Sequence, residues 1–110
     1  MSRDWRIYLD DIEEGCDKVR RFTSGMTAAE FQQDERTRDA VLRNLEMIGE
    51  AAKHIPDNIR QAMPDVEWRK IAGLRDMIAH AYFGIDENII WDIVENKVPA
   101  LQQAIKASRG

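Results

Sequence analysis

Apolar residues recur along the chain at three- and four-residue spacing in five stretches, and none shows the strict alternation of a half-buried strand. Glycine and proline are scarce except at the joints between stretches. The expected fold is therefore all-α, an up-and-down bundle of four to five helices forming a single domain over 1–110. The first helix should start at Asp4 as N-cap and turn Trp5, Ile7 or Tyr8, Ile12, Cys16, Val19 and Phe22 inward, with "TSGM" ending it. Thr27 and Glu30 fit a capping box for a short turn. The long segment that follows, "DERTRDAVLRNLEMIGEAAKHI", should bury Val41, Leu42, Leu45, Ile48, Ala52 and Ile55. Gly49 lies inside it at a cost of up to about 1 kcal/mol relative to alanine, which points to a close helix-to-helix approach.

Pro56 and Pro64 frame a connector with room for one short helical turn. A further helix is expected from about Glu67 to between Ala81 and Gly84, where "FGID" supplies a glycine terminator and Asp86 the next N-cap. The last helix, through Ile89, Ile90, Ile93, Val94, Leu101 and Ile105, carries Pro99, which should kink or restart it.

At 110 residues and 44% hydrophobic the chain suffices for one modest core. No apolar stretch approaches the roughly 20 residues of a membrane span, and the acidic start "MSRDWRIYLDD" is unlike a signal peptide, so a cytoplasmic location is expected. A net charge of −4 argues against holding nucleic acid by overall electrostatics, and any RNA contact has to be local. Local basic patches occur at 18–21, at Arg36 and Arg38 with Arg43, and at Arg69 with Lys70, although charges of both signs line these helices. The lone Cys16 offers neither a disulfide nor metal-ligand spacing, and His54 and His80 have no ligand neighbours in sequence. No metal or cofactor is implied, and no glycine-rich phosphate loop is present. Trp5, Trp68 and Trp91 lie on apolar faces and read as core or interface anchors.

The stretch "GLRDMIAHAYF", 73–83, sets an arginine inside an apolar run. On an ideal helix Trp68, Ile71, Ile78 and Tyr82 all lie within about 60° of Arg75, whereas His80 lies about 140° away. An Arg75–His80 pair on one helix is thus geometrically poor. Either the helix loosens before His80, or a second copy of the chain completes the site across a two-fold axis. The stripe Trp68, Ile71, Ile78 suits such an interface. Asp76, four residues before His80, can meet the imidazole along the helix, and the end of the helix dipole also favours its protonated form. The plainer alternative is a capping pair between Asp76 and His80, with Arg75 bonded to a neighbouring carboxylate.

"RDMIAHAYFGID" resembles the Arg-x4-His-x-Tyr motif of the HepT-like branch of the HEPN domains. "AVLRNLEMIGEAAKHIP" resembles the second long helix of that branch, and "IIWDIVENKVPALQQAI" its closing helix, so the resemblance covers nearly the whole chain. It implies a homodimeric, metal-independent endoribonuclease toxin of a type II/VII-like toxin–antitoxin pair, with RNA as substrate and no membrane partner. Arg75 and His80 would be the catalytic pair, and Asp76 would stand where many relatives have asparagine. Tyr82 would be the residue to which a minimal nucleotidyltransferase antitoxin transfers AMP. The rival reading is a non-catalytic helical module that binds a nucleotide or regulates such a nucleotidyltransferase.

Overall fold

The computed structural model describes residues 4–81 and 87–109, and among these every regular element is helical. The elements are α1 Trp5–Thr23, α2 Ala28–Gln33, α3 Glu35–Ala52, α4 Asp57–Gln61, α5 Trp68–Ala72, α6 Leu74–Ala81, α7 Glu87–Asp92, a π-helical turn Ile93–Lys97, and α8 Val98–Arg109. α5 with α6, and α7 with α8, each continue one rod across a local irregularity, so the bundle has four long rods and two short helices. None of the described helices is long and apolar enough to cross a membrane.

Local chemistry sets the joints. Asp4 caps α1 by accepting from the Arg6 backbone N–H at 2.9 Å. Gly25, at φ 77°, supplies the left-handed turn after it, a conformation that a Cβ disfavours. The capping box of α2 is complete: Glu30 N–H donates to Thr27 and Thr27 N–H to Glu30. Asp34 caps α3 by accepting from Thr37 N–H at 3.0 Å, and that hydrogen bond holds its carboxyl below the usual carboxylate range. The proline-framed connector holds α4. Arg60 on α4 donates to the carbonyls of Ala52 and Ile55, so the end of α3 is closed by a side chain from the next element.

Pairs of contacts fix how the rods run. Tyr8 stacks on His54 while Gly15 faces Asn44 and Ile48, so α1 and α3 are antiparallel. Arg20 donates to Gln102 at 2.6 Å, and Arg109 reaches back to Glu13 at 2.8 Å and Asp10 at 2.7 Å, so α8 also runs antiparallel to α1. The core between these rods holds Leu9, Ile12, Cys16, Val19, Phe31, Leu45, Ile48, Ile78 and Ile105, all nearly or fully inaccessible. Every α3 position expected to face inward does so, as does Ile55.

Three expectations need correction. In α1 Ile12, Cys16 and Val19 are buried as expected and Trp5 and Tyr8 pack partly against the core, but Leu9 and Thr23 are buried in addition, while Ile7 and Phe22 are exposed at 39% and 41%. The inner face is set by packing against α3 and α8, which centres it on Leu9, Ile12, Cys16 and Val19. The helix expected from about Glu67 does begin there, with Glu67 as N-cap and Trp68 as its first residue, but it breaks at Gly73 into α5 and α6. The stripe Trp68, Ile71, Ile78 is divided: Trp68 and Ile78 are buried within the chain, whereas Ile71 and Met77 are half-buried and line, with Leu74, Ile93, Val98 and Leu101, an apolar pocket of about 410 Å³ that is open on one side. Pro99 restarts the last rod, as expected. It has no N–H to donate, and its ring crowds the carbonyl four residues back. The helix accommodates it with a π turn in which Val98 N–H donates to Ile93, five residues earlier.

The phase of α1 can be tested directly. Leu9→Ala should cost about 2–5 kcal/mol of unfolding free energy by opening a cavity, and Ile7→Ala less than about 0.5 kcal/mol, both read from urea unfolding. Equal losses at the two positions would show that α1 is wrongly phased.

Candidate active site

The site is assembled where α6 crosses the C-terminal half of α3. A Cβ built on Gly49 would lie 3.0 Å from the Ile71 carbonyl oxygen, 3.2 Å from Leu74 Cβ and 3.3 Å from Arg75 N. The missing side chain is thus what lets the bend at Gly73 and the first turn of α6 sit directly on α3, and the close approach expected at Gly49 is present. Arg75 is seated at this contact. Because Leu74 and Ile78 face the core, Arg75 leaves on the outer side, with 55% of its side chain exposed.

Two carboxylates of α3 receive it. Arg75 Nη1 donates to Glu50 Oε2 at 3.1 Å, and Arg75 Nε lies 3.7 Å from Glu46 Oε1. Glu46 and Glu50 are one turn apart and flank the face that Gly49 opens, so both reach the same guanidinium. The plainer sequence alternative for Arg75, a bond to a neighbouring carboxylate, is therefore realised. It does not exhaust the group: a guanidinium has five N–H donors, and this one is more than half exposed.

Glu50 is shared further. Lys53 Nζ lies 3.9 Å from its Oε2, and His54 Nε2 lies 3.8 Å from its Oε1. His54 in turn stacks on Tyr8 of α1, with ring centroids 4.4 Å apart and planes 12° from parallel. Glu46 and Glu50 against Arg75 and Lys53 leave the patch locally neutral on a chain of net charge −4. Each of these exposed pairs contributes little to stability.

Of the four residues singled out in sequence, Arg75 and Asp76 are both exposed on α6. α6 keeps helical backbone through Ala81, so His80 stands five residues beyond Arg75 on a continuous helix and the proposed loosening before it does not occur. The His80 side chain and all of Tyr82 lie outside the described residues. Sequence reasoning missed Glu46, Glu50, His54 and Tyr8. The signal for the two glutamates was their position around Gly49, since the glycine that marks a close approach also marks which neighbours meet the incoming helix. Tyr8 and His54 meet only through the antiparallel register of α1 on α3.

Other chemistry recedes. Cys16 is fully buried, and desolvation, assisted by Glu13, pushes its thiol up to about 12, so it is no nucleophile at neutral pH. Among the described residues no group of three or more His, Cys, Asp or Glu is gathered to hold a metal ion. Three residues of the basic patches pair with carboxylates three or four residues earlier: Lys18 with Glu14, Arg21 with Asp17, and Lys70 with Glu67 at 2.7 Å. Trp68 is a core anchor, and Trp91 packs on Phe31 at 5.2 Å.

Residues 12–108 match the family described as Ribonuclease HepT-like. A Methanocaldococcus jannaschii protein named "Putative RNase" is 48% identical over 98 residues, covering 89% of this chain and 81% of that one. A Thermococcus cleftensis protein named "Probable ribonuclease HepT" is 39% identical over 102 residues, covering 93% of each. No solved structure matches the chain.

The seat of Arg75 predicts a penalty for any side chain at position 49. Gly49→Ala should lower stability by about 1–2 kcal/mol through overpacking, even though alanine is the better helix former. The check is thermal unfolding by circular dichroism, and an unchanged or raised melting temperature would show that the approach is slack.

Proposed function

The chain belongs to the HepT-like family and is a ribonuclease of the HEPN type, and we propose that it cleaves RNA without a metal through Arg75 and His80 at a cleft between two copies. The observation that carries this reading is the exposed Arg75 guanidinium, fixed by Glu46 and Glu50 on the same helix as His80. Cleavage by attack of a ribose 2′-hydroxyl on the adjacent phosphate needs two proton transfers and stabilisation of an anionic transition state. Arg75 serves the second need, since its remaining donors can grip phosphate oxygens while the carboxylates hold the rest of the fork. His80 serves proton transfer, donating to the leaving 5′-oxygen when protonated. Asp76, four residues earlier on α6, favours that protonated form.

Helix geometry supports a two-chain site. Five residues on a continuous helix place His80 about 140° around from Arg75, so one copy presents the two groups in different directions. Across a two-fold axis, the Arg75 of one protomer and the His80 of its partner can face one phosphate, and the second histidine can act as base. Trp68 and Ile78 of the apolar stripe lend this assembly no support, because both are buried within the chain.

We place the protein in a toxin–antitoxin pair of the type II/VII-like kind, silenced by a minimal nucleotidyltransferase that adds AMP to Tyr82. Tyr82 lies seven residues beyond Arg75 in sequence. Each AMP would bring a phosphodiester charge near the guanidinium, occupying it and repelling an RNA backbone.

The test is cleavage of single-stranded RNA by purified protein in chelator. Arg75→Ala should lower kcat about 100- to 1,000-fold and His80→Ala at least about 100-fold, with circular dichroism unchanged. Undiminished cleavage by both variants would reject the site. Co-expression with a cognate nucleotidyltransferase should place AMP on Tyr82, read by mass spectrometry. A Tyr82→Phe variant that is still silenced would show that inhibition works some other way.

A further inference from the structure

The Tyr8–His54 stack has no part in the chemistry assigned to Arg75 and His80, yet it joins Arg75 through a shared carboxylate. His54 Nε2 lies 3.8 Å from one oxygen of Glu50, and Arg75 Nη1 lies 3.1 Å from the other. Measured through the carboxylate, the imidazole nitrogen is no more than about 9 Å from the guanidinium. At about 3.4 Å of rise per phosphate along a stacked strand, that span corresponds to roughly two or three nucleotides. Tyr8 covers one face of the imidazole, and nearly half of the His54 side chain is exposed, at 47%. The rings are already near-parallel, and a flat ring seated on the exposed part of His54 would extend the stack.

We propose that Tyr8 and His54 form a nucleobase platform that seats a base of the RNA within about three nucleotides of the phosphate held by Arg75. Unstacked bases of single-stranded RNA bind flat on aromatic side chains whatever their sequence, because every base presents a π face. Lys53, within 3.9 Å of Glu50, stands beside the same path and supplies a cation for the connecting backbone. The platform explains how an acidic protein holds RNA: ring stacking needs no excess of positive charge. The proposal rests on the reading of Arg75 as the phosphate-gripping group, and its test is independent of cleavage.

The chain has two histidines, so His80→Ala, which disables cleavage on that reading, leaves His54 as the single source of imidazole proton resonances. Titration of this variant with a short single-stranded RNA should move those resonances upfield through the ring current of the seated base. An abasic ribose-phosphate strand of equal length should leave them in place. Tyr8→Ala in the same background should weaken RNA binding about 5- to 100-fold, whereas Tyr8→Phe should bind as before. A merely structural stack between α1 and α3 would not distinguish RNA from the abasic strand. Equal shifts from the two strands, or no shift at saturating RNA, would overturn the platform. If wild type cleaves RNA while His54 stays silent, the platform is wrong and the nuclease reading stands. If His54 responds to bases but wild type cleaves nothing, the platform stands and the nuclease reading is wrong.

Discussion

The placement of Arg75 depends on how closely α3 lets the Gly73 bend approach. With hydrogen at position 49, the Ile71 carbonyl and the Arg75 amide come within van der Waals reach of the α3 backbone. That approach brings the first turn of α6 over the face bearing Glu46 and Glu50, and the carboxylates then select the direction in which the guanidinium points. The ion pairs are exposed and contribute little to folding. Their effect is orientation: a long, rotamer-rich side chain is restrained before any ligand arrives, which reduces the entropy lost on binding.

Charge on this surface is arranged by neutralisation. Glutamates 46 and 50 offset Arg75 and Lys53, so the patch differs from the acidic average of the chain. A phosphate arriving at Arg75 has to share the guanidinium with two carboxylates, which disfavours tight binding of any lone anion. A ligand that also offers flat rings gains from the neighbouring stack. On the platform proposed above, the same surface would discriminate by polymer chemistry, preferring a phosphate tied to a base over a free phosphate.

Much of this fold was legible from local sequence. The Asp4 cap, the Thr27–Glu30 capping box, the turn of α4 between two prolines and the inner face of α3 each rest on residues close in the chain, and local physics sufficed. The restart of the last rod at Pro99 was legible too, although the π turn that absorbs it was not. The phase of α1 was legible at Ile12, Cys16 and Val19 but not at its ends, because Trp5, Ile7, Tyr8 and Leu9 crowd its first two turns with apolar groups on all sides, and only packing against α3 and α8 selects Leu9. The stripe on α5 and α6 was legible only in part for a related reason. Periodicity shows that Trp68, Ile71 and Ile78 share a face, but whether that face meets the chain itself or a second copy depends on where α7 and α8 lie. At the site, Arg75 was conspicuous as a charge among apolar residues, while its partner Glu50, 25 residues earlier, belongs to a different helix and was invisible until the two were packed together.

The central claim is that Glu46 and Glu50 hold Arg75 ready for an RNA phosphate. It is tested most directly by observing the Arg75 side-chain Nε–H resonance as a 2′-O-methyl RNA, which lacks the attacking hydroxyl, is added to the wild-type chain. The account predicts that the resonance shifts and exchanges more slowly with water as the RNA saturates, and that Glu46→Gln with Glu50→Gln blurs it in the free protein. A resonance that stays unchanged at saturating RNA would show that Arg75 is no more than a surface ion pair.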